Sequence, residues 1–529
     1  MVQEISKIIQ KEVGEKINFN VEASENPQFG HYATNLALRL SGVLKRPPIE
    51  IARDLAERFK ANYGDFFEKV EATPPGFINF WLASKILRQE LAEILAQGKK
   101  YGRSAIGKGK KVQVEFVSAN PTGPLTLANG RGGFLGDALS SLLEFSGHRV
   151  EREYYVNDTG NQILTFGKSL LAAQGFMPAE ENFYKGEYVK EWARSHKDFL
   201  ARNQKNAIRV GERAAKDFLS AIKKVLKEKA GIKFDRWTSE ARDIHKKGLV
   251  KKALKILKQR KLVYERDGAL WLRTTDLGDD KDRVLVTSDK FPTYFLADAG
   301  HYLETKRRGF DRKINILGPD HYGYVKRIQA AAQILGFKNS ETIVTQAIRL
   351  VKGGEEVKMS KRRGQFVTFE GLVEEVGADA ARFFFLMHAP ETHMDFDLDL
   401  AKERSAKNPV YYAQYAYVRA GNIIKKAKAQ VKKAAIDLVP LKSEAELNLI
   451  RELVKFSDLI LETALDYRVH RLTKYSLDVA RTFHNFYERE RVIGEAEELK
   501  TARLGLVRGT RQILGALFDL LGITKLDKM

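Results

Sequence analysis

No cysteine occurs among the 529 residues of this chain. Disulfides, thiolate zinc sites, iron–sulfur clusters and cysteine nucleophiles are therefore excluded. No run approaches the roughly 18 consecutive apolar residues that a membrane-spanning helix requires. The opening segment MVQEISKIIQKEVGEKINF interleaves charge with apolar residues and lacks the continuous apolar core of a secretory leader. No fixed-period repeat is evident, which argues against solenoids and propellers. Negative charge is in short supply: 68 Asp and Glu stand against 90 Lys and Arg, a formal net charge of +22. That surplus argues for a polyanionic partner, most often nucleic acid, although a generally basic surface is the plainer alternative. The default reading is a soluble cytoplasmic protein with no membrane association.

A chain of this length has room for three or four domain-sized units and several hydrophobic cores. Hydrophobic residues at 43% and charged residues at 30% place it among folded rather than disordered proteins. Three regions are expected. Residues 1–105 read as a small α+β domain, with helical spacing from Ile49 to Phe59 and a strand at Phe77 to Leu82 after Pro74-Pro75-Gly76. Residues 106–395 read as a Rossmann-type α/β domain with insertions. Val112, Val114 and Phe116 alternate as in a strand, a turn-rich loop SANPTGPLTLANG follows, a helical period runs from Arg131, and a second strand carries Val150, Tyr154 and Val156. Further strands are expected at Ala269 to Leu272, Val284 to Val286, Ile314 to Ile316 and Ile343 to Leu350. Residues 396–529 read as an all-α bundle, with a capping-box spacing at Ser443 and Glu446.

Four segments carry candidate chemistry. The strand–loop–helix from Glu115 to Arg131 can present backbone N–H groups and a helix dipole to phosphate, or simply connect two elements. The run Lys358-Met359-Ser360-Lys361-Arg362-Arg363-Gly364 is either a solvated charged loop or a mobile arm that neutralises charge developing on pyrophosphate. Gly318-Pro319-Asp320-His321-Tyr322-Gly323 follows a predicted strand at the end where open α/β sheets bind ligands, or is simply a turn packed on itself. Tyr294 and Asp298 share a face if their segment is helical. Asp298 is then either a structural cap or, with Glu115, a partner for a cation such as a planar guanidinium.

Taken together, SANPTGPL, the ANGRGG loop-to-helix step, YYVNDTGNQI, GALWLRTTDLGDDKDRVLV, GPDHYGYVKR, KMSKRRG and NPVYYAQYAYVRA resemble class I arginyl-tRNA synthetases, in order and over essentially the whole chain. The resemblance implies a tRNA-contacting N-terminal domain, a Rossmann catalytic domain and a helical anticodon-binding domain. It implies ATP, with Mg2+, and L-arginine as substrates of an adenylation that needs tRNA(Arg) present, followed by transfer of arginine to the tRNA 3′ end. A monomer without a tightly bound metal is expected. By the same resemblance Lys358, Ser360, Lys361, Thr126 and Asn129 are catalytic. Glu115, Ser118, Asn120, Tyr294 and Asp298 hold arginine. Pro121, Thr122, Gly123, Pro124, Asn129, Gly130, Gly318, Asp320, His321 and Met359 contact ATP. Asn35, Asn408, Tyr411, Gln414 and Tyr415 are expected near tRNA, and Lys425, Lys426, Lys428, Lys432 and Lys433 either face its phosphates or form a solvated helix face.

One departure bears on activity. Family members place two histidines around a glycine in the loop where this chain reads Thr126-Leu127-Ala128-Asn129. Thr126 and Asn129 can still donate hydrogen bonds, but neither can carry charge. Losing one good transition-state donor costs about 10²–10³ in rate. A second departure places His31 where an Asp is usual. Two competing readings follow: a catalytically inactive, tRNA-binding paralogue, motivated by the altered loop, and a nucleotidyltransferase acting on a small molecule, which the long helical C-terminal region disfavours.

Overall fold

The structure is a computed structural model that describes residues 1–14, 17–24, 26–337, 339–357, 367–427 and 436–529. Lys358, Met359, Ser360 and Lys361, together with Lys428, Lys432 and Lys433, lie outside the described residues.

The N-terminal unit is the expected α+β layer. Its four-stranded antiparallel sheet has the order Val21–Ala23, Tyr32–Thr34, Phe77–Leu82, Phe67–Thr73. Ile78, Phe80 and Leu82 alternate inward and are buried, as are Ile51, Leu55 and Phe59 of the helix Pro48–Asn62. The Phe59 and Phe80 rings meet edge-on at 5.5 Å. His31 does not point outward to a partner. Its Nδ1 accepts from Leu82 N–H at 2.9 Å, and its Nε2 lies 2.9 Å from the Arg451 guanidinium in the C-terminal bundle. Burial, then Arg451 and Lys455, pull its pKa down to about 3.

The central sheet has five parallel strands in the order Ser340–Val344, Arg312–Leu317, Lys111–Glu115, Arg149–Val156, Arg236–Ser239. Strand order reverses between Lys111–Glu115 and Arg312–Leu317. That is the topological switch point, where the loops leaving the carboxyl ends of two strands diverge and open a crevice. The helix that follows Lys111–Glu115 begins at Leu127, one turn earlier than the hydrophobic period suggests, and runs to Phe145. Its face of Phe134, Leu135, Ala138, Leu139, Leu142 and Leu143 is buried, as the period predicts.

The expected single strand from Ile343 to Leu350 is two strands in two sheets. Ser340–Val344 is the edge of the central sheet, whereas Ile348–Lys352 pairs with Met394–Asp397 and Glu355–Glu356. The crossing is made at Thr345 and Gln346, whose N–H groups donate to Leu317 and Pro390. The two-residue turn Gly353–Gly354 has φ of 60° and 80°, the positive pair that a tight hairpin turn of this kind demands.

Two insertions separate Arg149–Val156 from Arg312–Leu317. A helical one packs Phe166, Leu170, Trp192, Leu200 and Val210. The other joins the helices Leu249–Gln259 and Tyr294–Arg307 to a three-stranded antiparallel sheet. The C-terminal bundle comprises Pro409–Ala427, Glu444–Asp466, His470–Arg489 and Glu497–Leu521. Ser443 and Glu446 form the reciprocal cap that their spacing predicts. Arg382 pins the bundle to the α/β unit: its guanidinium reaches Asp137 at 2.6 Å, Ala230 O at 2.9 Å and Leu521 O at 3.3 Å.

Candidate active site

The crevice at the switch point is built from the ends of the central strands. The Lys111–Glu115 strand delivers Glu115 to its floor. Immediately beyond it the backbone turns at Val117 and Ser118, with φ of 65° and 37°, a conformation rare for a β-branched residue and usual at strained functional turns. The turn brings Ser118 Oγ to within 3.2 Å of Glu115 Oε1, where it donates, while accepting from Tyr155 N–H at 3.1 Å. The other carboxylate oxygen, Oε2, pairs with Lys313 Nζ at 2.8 Å.

Lys313 is itself 1% exposed and belongs to a larger buried network. Its ammonium stands 3.2 Å from His301 Nδ1, and His301 Nε2 hydrogen-bonds Glu153 at 2.5 Å. Glu153 also accepts from Gln113 at 2.7 Å and Arg308 at 2.5 Å. Arg308 continues to Glu304 and Glu151. Burial pushes the Glu153 carboxyl up, but His301, Lys313 and Arg308 outweigh it and hold it well below the usual carboxylate range. Charges buried this deeply persist only when paired and hydrogen-bonded, and here each is. The network fixes the orientation of Glu115 from below.

The crevice wall above it is acidic. Tyr294 opens the helix Tyr294–Arg307 and Asp298 lies one turn along it, so the two share a face. Tyr155 stacks on His301 with centroids 4.5 Å apart. Its phenol is pushed up by burial, then by the charges of Glu240, Asp298 and Glu115. Tyr294 is raised by burial and again by Glu240. Three carboxylates, Glu115, Glu240 and Asp298, thus converge on Tyr155, and Glu240 also acts on Tyr294, an arrangement that attracts a cation bearing several N–H donors. Glu240 begins a π-helical turn, Glu240–His245, held in place by Asp158. Asp158 accepts from Ser239 Oγ at 2.6 Å and from Ala241 N–H at 2.9 Å. The YYVNDTG segment therefore acts by anchoring the turn that carries Glu240.

The opposite side of the crevice is formed by the loop and the helix N-terminus. Thr126 caps the helix Leu127–Phe145, and Asn129 reciprocates. Thr126 N–H and Oγ both donate to Asn129 Oδ1 at 2.9 Å, and Asn129 N–H donates to Thr126 Oγ at 3.4 Å. The Thr126 hydroxyl proton is thus committed within the cap, and the Asn129 Nδ2 amide is the group left to donate outward. Pro121 and Thr122 are buried, Gly123 and Pro124 half-buried, and Asn120 exposed. Gly130 faces inward: a Cβ there would fall 2.1 Å from the Phe369 ring. Its smallness serves helix packing, and it is not turned toward the crevice. Across the crevice, Gly318 leaves the strand Arg312–Leu317, and Asp320 and His321 are exposed on the following turn. Arg131, which the sequence marks only as the start of a helical period, is 2% exposed and donates to Gln346 O, Ala389 O and Thr392 O at 2.8–2.9 Å. It clamps the crossing that leads toward residues 358–366.

The candidate RNA contacts lie elsewhere. Asn35 Oδ1 accepts from Asn20 N–H at 2.9 Å. Asn408 is buried and caps its own loop through Ala401 O, Glu403 O and Val410 N–H. Gln414 is buried and donates to Asp379 and Thr524 O. Tyr411 is half-buried and Tyr415 is 39% exposed. The amides of Asn35, Asn408 and Gln414 are engaged within the chain, and of the five residues Tyr415 is the exposed one. Lys425 and Lys426 are exposed at the end of their helix.

Comparison with known proteins places this geometry. Residues 1–82 match the arginyl-tRNA synthetase N-terminal domain, residues 90–385 the class I (R) tRNA synthetase catalytic domain, and residues 413–529 the DALR anticodon-binding domain. The arginine–tRNA ligase of Carboxydothermus hydrogenoformans is 43% identical, with 97% of this chain and 95% of that protein covered. The Bacillus subtilis arginine–tRNA ligase is 40% identical, covering 97% and 94%. The solved Thermus thermophilus arginyl-tRNA synthetase shares the fold, with a TM-score of 0.79 at 22% identity and all of both chains covered. The fold and crevice are those of a class I aminoacyl-tRNA synthetase, and the chain belongs to the arginyl-tRNA synthetase family.

Proposed function

We propose that this chain is an active arginine–tRNA ligase, which joins L-arginine to the 3′ end of tRNA(Arg) at the expense of ATP. The observation that carries this reading is the convergence of Glu115, Glu240 and Asp298 on Tyr155, with Tyr294 one helical turn from Asp298 and beside Glu240. That pocket suits a substrate with a cation at each end. Glu115, fixed by Ser118 and Lys313, and Asn120 receive the α-amino end; Asp298, Glu240 and Tyr294 receive the guanidinium. The arginine carboxylate is then left to attack the α-phosphorus of ATP, with pyrophosphate leaving. A hydroxyl of the ribose at the tRNA 3′ end next attacks the adenylate carbonyl, giving its proton up and releasing AMP. Little covalent work falls to the protein, so positioning and charge stabilisation dominate.

Mg-ATP enters as substrate. Its adenosine and phosphates would lie over Pro121 to Pro124, Gly318, Asp320, His321 and the helix N-terminus, with Lys358, Ser360 and Lys361 contributing from the adjoining segment. The reading extends to a cytoplasmic monomer and to domains bounded near 105 and 395, with tRNA contacts on the terminal domains. Among the described residues no helix is long and apolar enough to cross a membrane.

The reading is tested by AMP release from purified chain. AMP is expected only when arginine and tRNA(Arg) are both present. AMP formed with tRNA but without arginine, or with lysine in its place, would contradict it. The altered loop has its own test. Asn129→Ala is expected to lower kcat about tenfold or more while leaving the arginine KM within about twofold, because the amide faces the phosphates. It should also cost about 0.5–1.5 kcal/mol of stability through the hydrogen bonds that Asn129 Oδ1 accepts from Thr126. Unchanged turnover with the stability loss present would confine Asn129 to a structural role.

A further inference from the structure

The helical insertion between Arg149–Val156 and Arg236–Ser239 sends Tyr188 to the crevice loop. Its two long helices, Asn161–Ala173 and Ala207–Lys224, lie with their backbones in contact. A Cβ at Gly167 would fall 1.8 Å from Ala207 O, and one at Gly211 would fall 2.0 Å from Ile163 O. Packing this close leaves no slack between the helices, so the insertion is a stiff body. Phe166, Leu170, Trp192 and Val210 belong to its core, and Tyr188 packs on the edge of that core. Tyr188 sits in the short helix Glu187–Ser195, which Trp192 ties down by donating its Nε1–H to Asp217 at 3.2 Å. The Tyr188 ring meets Phe218 edge-on, with centroids 5.7 Å apart.

The same ring also touches the loop that follows Lys111–Glu115. A Cβ at Gly123 would stand 3.1 Å from Tyr188 Cζ and 3.2 Å from its Cε2 and Oη. That is closer than the roughly 3.5–4.0 Å at which carbon atoms pack best. The ring therefore lies where a side chain on Gly123 would go. The loop is anchored on either side of this point. Tyr154 Oη donates to Ala119 O at 2.8 Å, and Leu125 O accepts from Phe369 N–H at 2.9 Å. Both anchors lie outside the turn Pro121 to Pro124, whereas Tyr188 bears on the turn itself.

We propose that Tyr188 is a positioning residue for ATP, its ring holding the turn Pro121 to Pro124 in the form that receives the nucleotide. The proposal rests on the reading that ATP lies over that turn. A loop held before its ligand arrives need not be ordered on binding, so affinity rises without a new contact to the ligand. The stiffness of the insertion is what makes this work, because a ring on a mobile arm would move with the turn.

The test is direct titration of Mg-ATP and of L-arginine into purified chain, with a thermal melt of each variant to report folding. Tyr188→Ala is expected to weaken ATP binding about tenfold while leaving the arginine Kd within about twofold. Tyr188→Phe keeps the ring and should bind ATP nearly as wild type does. Gly123→Ala sets a methyl group against the ring and should also weaken ATP. In Gly123→Ala/Tyr188→Ala the methyl meets no ring, so the double variant should bind ATP no worse than Tyr188→Ala alone. A Tyr188→Ala chain that melts like wild type and keeps the wild-type ATP Kd overturns the proposal. So does an arginine Kd that weakens as much as the ATP Kd, since the ring would then support the crevice as a whole. Should Tyr188→Ala not fold, a Gly123→Ala chain that melts and binds ATP like wild type overturns it. Wild-type chain that binds ATP but releases no AMP with arginine and tRNA(Arg) overturns the charging reading alone. Wild-type chain that binds no ATP overturns both.

Discussion

Asp298→Ala is expected to lower kcat/KM for arginine by about 10³–10⁴, most of it in arginine recognition, with the ATP KM little changed. Sites built around buried polar groups reject partners that leave those groups unpaired by factors of this order, and the reciprocal loss applies when the site's own group is removed. Asp298 shares its helical face with Tyr294 and its electrostatic field with Glu240. Its carboxylate offers two oxygens to a planar fork of donors, a geometry that a lysine ammonium cannot match. Asp298→Asn keeps the shape and removes the charge, so it should retain more activity than Asp298→Ala. Steady-state charging at saturating ATP measures this. An unchanged arginine KM together with unchanged discrimination against lysine would remove Asp298 from the pocket.

Lys313→Met is expected to destabilise the catalytic unit by about 3–5 kcal/mol, the cost of deleting one partner from a buried ionic cluster. Glu115 would lose its 2.8 Å partner and the His301–Glu153 pair its neighbouring cation. The apparent Tm should fall by about 6–15 °C. Adding Glu115→Gln to the variant should recover part of that loss, because the uncompensated charge goes with it. The pH dependence has a definite sign. Glu153 is held below its unfolded pKa, so its contribution is present above the ordinary carboxylate range and is lost as pH falls through the folded value. Removing Lys313 raises that folded value, so the variant should lose stability on acidification at a higher pH than wild type. Identical Tm values for variant and wild type at neutral pH would show that Lys313 is not the counter-charge of Glu115.

Much of this architecture is written locally. The alternation in Val112 and Val114, the helical period through Leu143 and the spacing of Ser443 and Glu446 each follow from contacts within one element, and each appears where local rules place it. The helix start at Leu127 had a local signal too, since Thr126 stands three residues before Asn129 as in a capping box. What could not be read locally depends on distant partners. The apolar stretch from Ile343 to Leu350 reads as one strand because nothing in its pattern marks a change of sheet, and the break is imposed by Leu317 and Pro390. Glu240, in the polar run SEARDIH, looks like a surface residue until Asp158, more than eighty residues away, fixes its turn. Lys313 is a buried cation in a core strand, intelligible only once Glu115, His301 and Glu153 stand around it. Of the site residues that sequence and family resemblance indicate, Ser118 hydrogen-bonds Glu115 at the switch point, and Tyr294 and Asp298 lie one turn apart on one helix. Gly130 turns away because Phe369 occupies the space beside it.

The central claim is that a crevice without the two family histidines still charges tRNA with arginine. It is tested most directly by offering purified chain unfractionated tRNA and each of the twenty labelled amino acids in turn, with and without ATP. ATP-dependent charging with arginine alone is the predicted result, and it would mean that Thr126 to Asn129 supports catalysis. Tight tRNA binding with no amino acid attached would contradict the account and identify the chain as an inactive tRNA-binding member of the family.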